Sequence, residues 1–406
     1  MNIAIITSGY LPVPATRGGA VETIVEDWMK VNENYNDTKF IIFSIYDKDA
    51  EKEIKKYKNS EAIFIKKNGL INFFDKLIYG FAKYVLKKQR VMSYRYILQR
   101  LYFLNKVSKN IKKNNYDKIL LENHPTLFLS LKWRKNYKKY EGKYYYHLHN
   151  EQKKLYGCKD IIKNCKKILC VSNFIKNNIK TLTGRADNVY VLKNCVDNSL
   201  FDLKMSDKEK NKLKEKYNIK KDETVLLFTG RVSAEKGINE LLLAINKIKD
   251  EKFKLIIVGS FFFDTNIKNN FDAKLKQYVD KAKDKVVFTG FVKHNEIAKL
   301  YNISDIAVLP SIVNDAAPLT ILESMASGLP IITTNSGGIP EYAKDGCAII
   351  LERDKNLVNN LASSISSLVK DKSRRDEMAK ISITNSKELT LDKFYNNLIE
   401  ELKWVE

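Results

Sequence analysis

The stretch that most limits how this chain can fold is Asn314 to Gly328, NDAAPLTILESMASG, set between two apolar runs, Ile306 to Leu309 (IAVL) and Ile331 to Thr334 (IITT). Short runs rich in Ile and Val, separated by one helical pattern, predict two buried parallel strands joined by a crossover helix. Asp315 falls in the loop where the first strand ends, and Pro318 suits the first helical turn because the N–H it lacks has no partner there. Leu319, Leu322, Met325 and Ala326 predict the buried stripe, and Gly328 with Pro330 ends the helix. Glu323, eight residues after Asp315, then stands a little over one turn inside the helix. The expectation is two carboxylates beside free backbone N–H groups at the carboxyl edge of a parallel sheet, where open α/β folds bind ligands. A phosphate can sit on such N–H groups, and a carboxylate can accept two hydrogen bonds from the vicinal hydroxyls of a sugar. Solvated surface charges are the ordinary reading of an isolated Asp and Glu. Against it stands the next turn, Asn335 to Glu341 (NSGGIPE), where paired glycines allow close backbone approach and IPE can open a helix.

With 406 residues, 44% of them hydrophobic, the chain has room for two or three domains with ample cores. Its 71 Lys and Arg against 48 Asp and Glu give a net charge of +23, which suits a partner made of phosphates. Nucleic acid, anionic lipid and nucleotide all qualify, but no nucleic-acid recognition motif is present, so nucleic acid is not expected as a partner. The abundance of Lys, Asn, Ile and Tyr is also what an AT-rich genome yields, which accounts for part of the excess. Five cysteines, Cys158, Cys165, Cys170, Cys195 and Cys347, form no CxxC pair, and free thiols in a reducing cytosol are the expected state. The four histidines show no metal-ligand spacing with them, so no metal and no cofactor is expected. MNIAIITSGY resembles a first strand more than a signal peptide, and no run of 18 apolar residues exists to span a membrane. A cytoplasmic protein is expected.

Along the chain, strands are predicted at Asn2 to Thr7, Phe40 to Ile45, Ala62 to Ile65, Lys118 to Leu121, Lys143 to Tyr146, Ile168 to Val171 and Val189 to Leu192. After the first, Thr16 to Ala20 with the Gly18-Gly19 pair opens a helix, an anion-friendly corner that is not the GxGxxG fingerprint. Polar residues close later strands, Glu122-Asn123-His124 and His147-Leu148-His149. Leu70 to Ile111 is basic, aromatic and helical in period. Leu70, Phe73, Phe74, Leu77, Ile78, Phe81 and Val85 share one face while Lys76, Lys83, Lys87 and Lys88 lie elsewhere, and a second pattern places Tyr94, Ile97, Leu98, Leu101 and Tyr102 between Arg95 and Arg100. Packing on a sheet is the ordinary fate of such helices, and lying in the interface of an anionic membrane is the sharper one. The lysine-rich segment 202–222 has little apolar content and is expected to hold a domain boundary.

A second set of strands is predicted at Val225 to Phe228, Lys254 to Val258 and Val286 to Phe288. The turn after the first, Thr229-Gly230-Arg231-Val232-Ser233-Ala234-Glu235-Lys236-Gly237, carries two cations that could neutralise a diphosphate without a metal. Phe261 to Phe263 is an aromatic run that the pattern does not explain.

Together these residues resemble the retaining GT-B glycosyltransferases of the family usually numbered four, the glycosyl transferases group 1. The resemblance is strongest from Val225 to Glu341, where its landmarks occur in order: Gly230, Arg231, Glu235, Lys236 and Gly237; Val286, Phe288 and Gly290; Pro310 and Ser311; the acidic pair Asp315 and Glu323; and Gly337, Gly338, Pro340 and Glu341. It implies an α/β fold of two Rossmann-like domains with parallel sheets facing across a cleft, residues 1–200 for the acceptor and 201–390 for the nucleotide-sugar donor. Residues 391–406 would form a helix returning to the first domain. It further implies that Arg231 and Lys236 hold the donor diphosphate, Glu323 the ribose, Asp315 the hydroxyls of the transferred sugar, and the amides near Leu319 and Thr320 a phosphate. Gly230 and Ser311 belong to the same donor loops, His149 matches a histidine lining the reaction centre, and Gly18 and Gly19 match a loop that approaches the donor phosphates.

The activity this implies is metal-independent, retaining transfer of a sugar from a UDP-sugar or related nucleotide-sugar to a glycan, lipid-linked or protein acceptor. Bacterial surface polysaccharide or glycoconjugate synthesis at the inner face of the cell membrane is the expected setting, with peripheral attachment to anionic lipid. A non-catalytic GT-B subunit that stabilises a partner transferase is the alternative. Departures from the family pattern leave room for it: Asp315 replaces the more usual Glu, and Ala317-Pro318 replaces an FG-like pair, removing one N–H.

Overall fold

The computed structural model describes residues 1–84, 86, 95–259, 270–282, 284–344 and 346–403. Val85, Lys87, Lys88, Tyr94, the Phe261 to Phe263 run and Trp404 lie outside them. The chain divides into two compact units, Met1–Leu192 with Tyr395–Glu406, and Lys193–Phe394.

In the first unit seven strands form one sheet: β1 (Asn2–Ile6), β2 (Lys39–Ile45), β3 (Ser60–Ile65), β4 (Lys118–Glu122), β5 (Tyr144–Leu148), β6 (Ile168–Cys170) and β7 (Val189–Val191). Their order is β3-β2-β1-β4-β5-β6-β7, every pairing parallel. Runs such as Ile3 to Ile6 and Ile119 to Leu121 are wholly buried, as strands covered on both faces must be. The second sheet has six strands, β8 (Thr224–Thr229), β9 (Phe253–Val258), β10 (Val286–Gly290), β11 (Ile306–Leu309), β12 (Ile331–Thr334) and β13 (Ala348–Leu351). Their order is β10-β9-β8-β11-β12-β13, again parallel throughout. Sequence patterning predicts twelve of these strands and misses β13, a half-buried strand at the edge of the sheet.

Of the helices, α1 (Ala20–Asn32) follows the Gly18-Gly19 turn and buries Ile24, Val25, Trp28 and Met29. Next come α2 (Gly69–Tyr84) and α3 (Ile97–Lys113) in the first unit. The second unit holds α4 (Ile238–Lys247), α5 (Leu319–Ala326), α6 (Leu357–Lys370) and α7 (Lys372–Ser386). The last, α8 (Leu391–Lys403), carries Tyr395, whose hydroxyl reaches Asn32 Oδ1 at 2.5 Å, and Glu401, which pairs with Lys167 at 2.7 Å. Within the segment 202–222, Asp207–Lys216 is a helix without a buried residue, held at its start by a capping box between Ser206 and Glu209.

Two helices differ from expectation. On α2 the buried positions are Asp75 and Ala82, while Leu70, Phe73, Phe74, Leu77 and Phe81 are exposed. The reason is capping: the Asp75 carboxylate accepts the backbone N–H groups of Leu98 at 2.8 Å and Gln99 at 2.9 Å, two of the donors that α3 leaves unpaired at its start. Arg100, expected on a charged flank, is buried on α3 beside Phe103, Leu104, Val107 and Ile111, whereas Ile97 and Leu101 face outward. The longer stripe sets the roll of the helix. On α5 the buried residues are Ile321 to Ala326; Leu319 is only partly buried, since the first turn emerges at the edge of the sheet.

Candidate functional site

In the second sheet the strand order reverses between β8 and β11, so the loops after these strands diverge and leave a crevice at their carboxyl ends. After β8, Gly230 at φ 135° leads into a single 3₁₀ turn, Ala234–Lys236, closed by Gly237 at φ 74°. The loop after β11 is bound to it: the N–H of Ile312 donates to the carbonyl of Glu235 at 3.0 Å. Gly237 is packed so closely that a Cβ there would lie 1.9 Å from the Pro310 carbonyl oxygen. Only glycine fits such an approach at positive φ.

Across this junction the Lys236 ammonium is ion-paired with the Asp315 carboxylate. The Gly337-Gly338 turn after β12 fixes Asp315 from the other side. The N–H of Gly338 donates to the Asp315 carbonyl at 2.8 Å, the N–H of Asp315 donates to Ser336 Oγ at 3.3 Å, and Ser336 in turn donates to Val313. Three strand ends therefore converge on one residue, Asp315. Lys236, Ser311, Asp315, Pro318 and Thr320 line a pocket there. Leu319 begins α5 beside it, and Pro318 is the N-cap, one position ahead of the expected first turn, so the proline's missing N–H lies outside the helix. Arg231 is exposed next to Gly230 and does not line this pocket.

Glu323 is buried on α5, accepting from the Tyr301 hydroxyl at 2.8 Å; that hydroxyl is 2.8 Å from Thr229 Oγ1 at the end of β8. Burial, and then the charge of Glu323, pushes the Tyr301 hydroxyl well above its ordinary range. Sequence reasoning misses Thr229 and Tyr301 as partners of Glu323. Thr229 was within reach, since it stands between the strand and Gly230; Tyr301 comes from a separate helix, His294–Asn302.

The first sheet reverses between β1 and β4. Ser8, just after β1, donates to Glu22 Oε1 on α1 at 2.8 Å, and burial raises the Glu22 carboxyl above its ordinary range. Gly19, at φ 108°, is where a Cβ would strike Glu22 Oε2 at 2.3 Å; Gly18 has open space around it. Arg17 is paired with Asp47 at 2.8 Å, which holds the glycine loop in place.

At the end of β4, Glu122 is fully buried and faces His147 in the parallel register with β5. Its Oε2 stands 3.1 Å from His147 Nδ1 and 3.0 Å from His149 Nε2. Burial would raise this carboxyl, but its interactions with His147 and His149 outweigh that and hold it below the ordinary value. His149 is pushed down to about 4, first by burial and then by His147, against the opposing pull of Glu122. One atom from each of the three residues falls within 4.8 Å of the others, a donor set able to hold a metal ion, though at these distances hydrogen bonds join them. The signal for this cluster was the period-two spacing of His147 and His149, which puts both on one face of the strand.

Residues 209–384 match the family model for glycosyl transferases group 1. YtcC of Bacillus subtilis, named as a glycosyltransferase, is 27% identical over 395 residues, covering 94% of this chain and 86% of its own. The lipopolysaccharide 1,2-N-acetylglucosaminetransferase of Salmonella typhimurium is 32% identical over 139 residues, 33% of this chain and 36% of its own. HepE of Anabaena, crystallised in complex with UDP, matches with a TM-score of 0.75 at 18% identity over 99% of both chains, so the two parallel-sheet units share its GT-B fold. The matched residues span every loop that meets at Lys236, Asp315 and Glu323, so this GT-B chain is similar, over the part that carries the pocket, to the glycosyl transferases group 1.

Proposed function

We propose that the protein is a retaining glycosyltransferase that moves a sugar from a UDP-sugar to a glycan, lipid-linked or protein acceptor in the synthesis of surface polysaccharide or a related glycoconjugate. The observation that carries this reading is the Lys236–Asp315 pair at the reversal point of the second sheet, beside the first turn of α5. A cation and a helix N-terminus favour a diphosphate, and a carboxylate next to them suits sugar hydroxyls. The lipopolysaccharide transferase among the relatives and the UDP bound to HepE support the acceptor class and the donor base.

In this reading Lys236 and Arg231 with Gly230 hold the diphosphate, the amides of Leu319 and Thr320 receive a phosphate, and Ser311 shapes the loop. Asp315 takes the sugar hydroxyls and Glu323 the ribose. In the first unit, His149 and the Gly18-Gly19 turn stand at the carboxyl edge of their own sheet; His149 is assigned to the reaction centre and the glycine turn to the donor phosphates. The bond between the anomeric carbon and the phosphate oxygen breaks, its electron pair leaving on the diphosphate. The acceptor hydroxyl oxygen bonds to the same carbon on the same face and gives its proton to the departing phosphate oxygen. Cationic donors aimed at the leaving group stabilise that charge as it develops, so the step is assigned no divalent metal.

Turnover of UDP-, GDP-, ADP- and dTDP-sugars in EDTA, with nucleotide diphosphate release followed and the product's anomeric configuration read by NMR, tests each part. Release from one donor, lost in Glu323→Ala, is the expected outcome. Inverted product, or release that needs a divalent ion, would overturn the mechanism. Silence with every donor, together with no nucleotide raising the melting temperature, would favour the non-catalytic subunit.

A further inference from the structure

The first unit buries a cation that no carboxylate accompanies. Arg100 on α3 is 6% exposed. Its Nε donates to Thr126 Oγ1 at 2.8 Å, its Nη1 donates to the carbonyl of Ser8, and its Cζ lies 4.5 Å from the centre of the Tyr10 ring. Nη2 is buried without an acceptor, and among the described residues no Asp or Glu pairs with this guanidinium. A charge withdrawn from water with one donor edge open is costly, and an anion brought to that edge removes the cost. The pocket beside it is lined by Lys66, Lys67, Tyr96 and Gln99, so two more ammonium groups border the place the anion would occupy.

Lys66 and Lys67 follow β3 and lead within two residues into α2, the helix whose apolar side faces outward. Leu70 is 70% exposed, Phe73 56%, Leu77 55%, Phe81 55% and Tyr84 71%. These positions recur at three and four residues and make one stripe along a helix about 24 Å long. Tyr102 of α3 borders both the Arg100 pocket and an apolar hollow formed with Ile71 of α2 and Leu98, Leu101 and Trp133, so an apolar surface adjoins the charged pocket. A ligand that satisfies both parts carries a phosphate at one end and hydrocarbon at the other.

We propose that the Arg100 pocket binds the phosphate of a membrane lipid while the stripe on α2 lies in the acyl region of the same bilayer. Charge complementarity selects this occupant: the stripe is bordered by Lys66, Lys67, Lys76 and Lys83, on a chain of net charge +23. The inference deepens the proposed function by placing its acceptor at a lipid surface, and it rests on that reading only for the acceptor.

The test is co-sedimentation of the full chain with phosphatidylcholine vesicles, with and without an equal part of phosphatidylglycerol, while inorganic phosphate alone is titrated in a melting experiment. Wild type should bind the anionic vesicles about tenfold better than the neutral ones, and inorganic phosphate, which lacks the hydrocarbon the stripe needs, should raise the melting temperature less than phosphatidylglycerol vesicles do. Phe73→Ser with Leu77→Ser and Phe81→Ser should lose vesicle binding about tenfold at an unchanged melting temperature, because these side chains are already exposed. Lys66→Glu with Lys67→Glu should remove the preference for phosphatidylglycerol. Equal binding to both vesicles, wild-type sedimentation of the triple variant, or stabilisation by inorganic phosphate without vesicle binding would each overturn the proposal. Donor turnover measured without vesicles separates the two ideas: if it is absent while vesicle binding persists, the proposed transfer fails and the lipid site stands.

Discussion

The Lys236 ammonium pairs with the Asp315 carboxylate and thereby joins the loop after β8 to the loop after β11, on the two strands between which the sheet order reverses. Each side chain is about one-fifth to one-quarter exposed, so the pair remains open to a ligand on one side. A diphosphate would compete with Asp315 for Lys236, and a sugar hydroxyl would compete with Lys236 for Asp315. One ligand bearing both groups, as the proposed nucleotide-sugar does, can satisfy the two residues together.

Asp315→Asn keeps the shape of the side chain and removes its charge. Donor kcat/KM should fall on the order of 100-fold, about 2.7 kcal/mol of transition-state stabilisation. A loss smaller than about threefold would take Asp315 out of the reacting centre.

Glu323→Ala removes the charged acceptor of the buried Tyr301 hydroxyl, leaving it only Thr229 Oγ1, as well as deleting the carboxylate. Folding stability should drop by about 1–3 kcal/mol. The donor KM should rise more than kcat falls, since a ribose contact is shared by ground and transition states. Tyr301→Phe separates the two effects: it should retain donor affinity while losing stability on the order of 1 kcal/mol.

Stability should decline on acidification between pH 6.5 and about 4. His149 and His124 are both pushed down from 6.5 to about 4, chiefly by burial. Between those values the unfolded imidazoles bind protons that the folded ones refuse, so the stabilisation is complete above 6.5 and is lost as the pH falls toward 4. Thermal melts of wild type, His149→Asn and His124→Asn across this window check it. Each variant should show a shallower slope by about one proton, and an unchanged slope in both would contradict the assignment.

Gly337→Ala should be among the costlier single substitutions in the second unit. Its Cβ would meet the Asp315 carbonyl oxygen at 2.4 Å and the Asp315 nitrogen at 2.8 Å, at φ 57°. We expect a loss of about 2–4 kcal/mol, read as a fall in melting temperature, and loss of donor turnover beyond it because Asp315 itself must shift. Gly18→Ala, with open space around the site, should cost only the strain of its positive φ, about 1 kcal/mol.

Most of the architecture was legible in the chain. Continuous Ile- and Val-rich runs such as IAVL and IITT carry strand identity and burial on both faces in four residues, because a parallel strand covered by helices has no polar side to display. Asp315, Lys236, Gly237 and the Gly337-Gly338 turn were legible for a related reason: they occupy strand ends, where the fold puts its loops, and the glycines mark backbone approaches that other residues would block. What sequence determined by itself was therefore the two parallel α/β units and which strand ends carry the glycine turns and the charged residues.

Only tertiary structure decided who meets whom across those ends, and which side of an amphipathic helix is buried. Lys236 finds Asp315 from the loop of a strand three places earlier in the chain, Tyr301 finds Glu323 from another helix, and Glu122 finds two histidines on and just after the neighbouring strand. Local periodicity records none of these, since each contact depends on strand order and register. Periodicity also says that α2 has an apolar side without saying where it points. The Asp75 carboxylate, buried and capping α3, fixes the roll of α2 with its aromatic stripe outward.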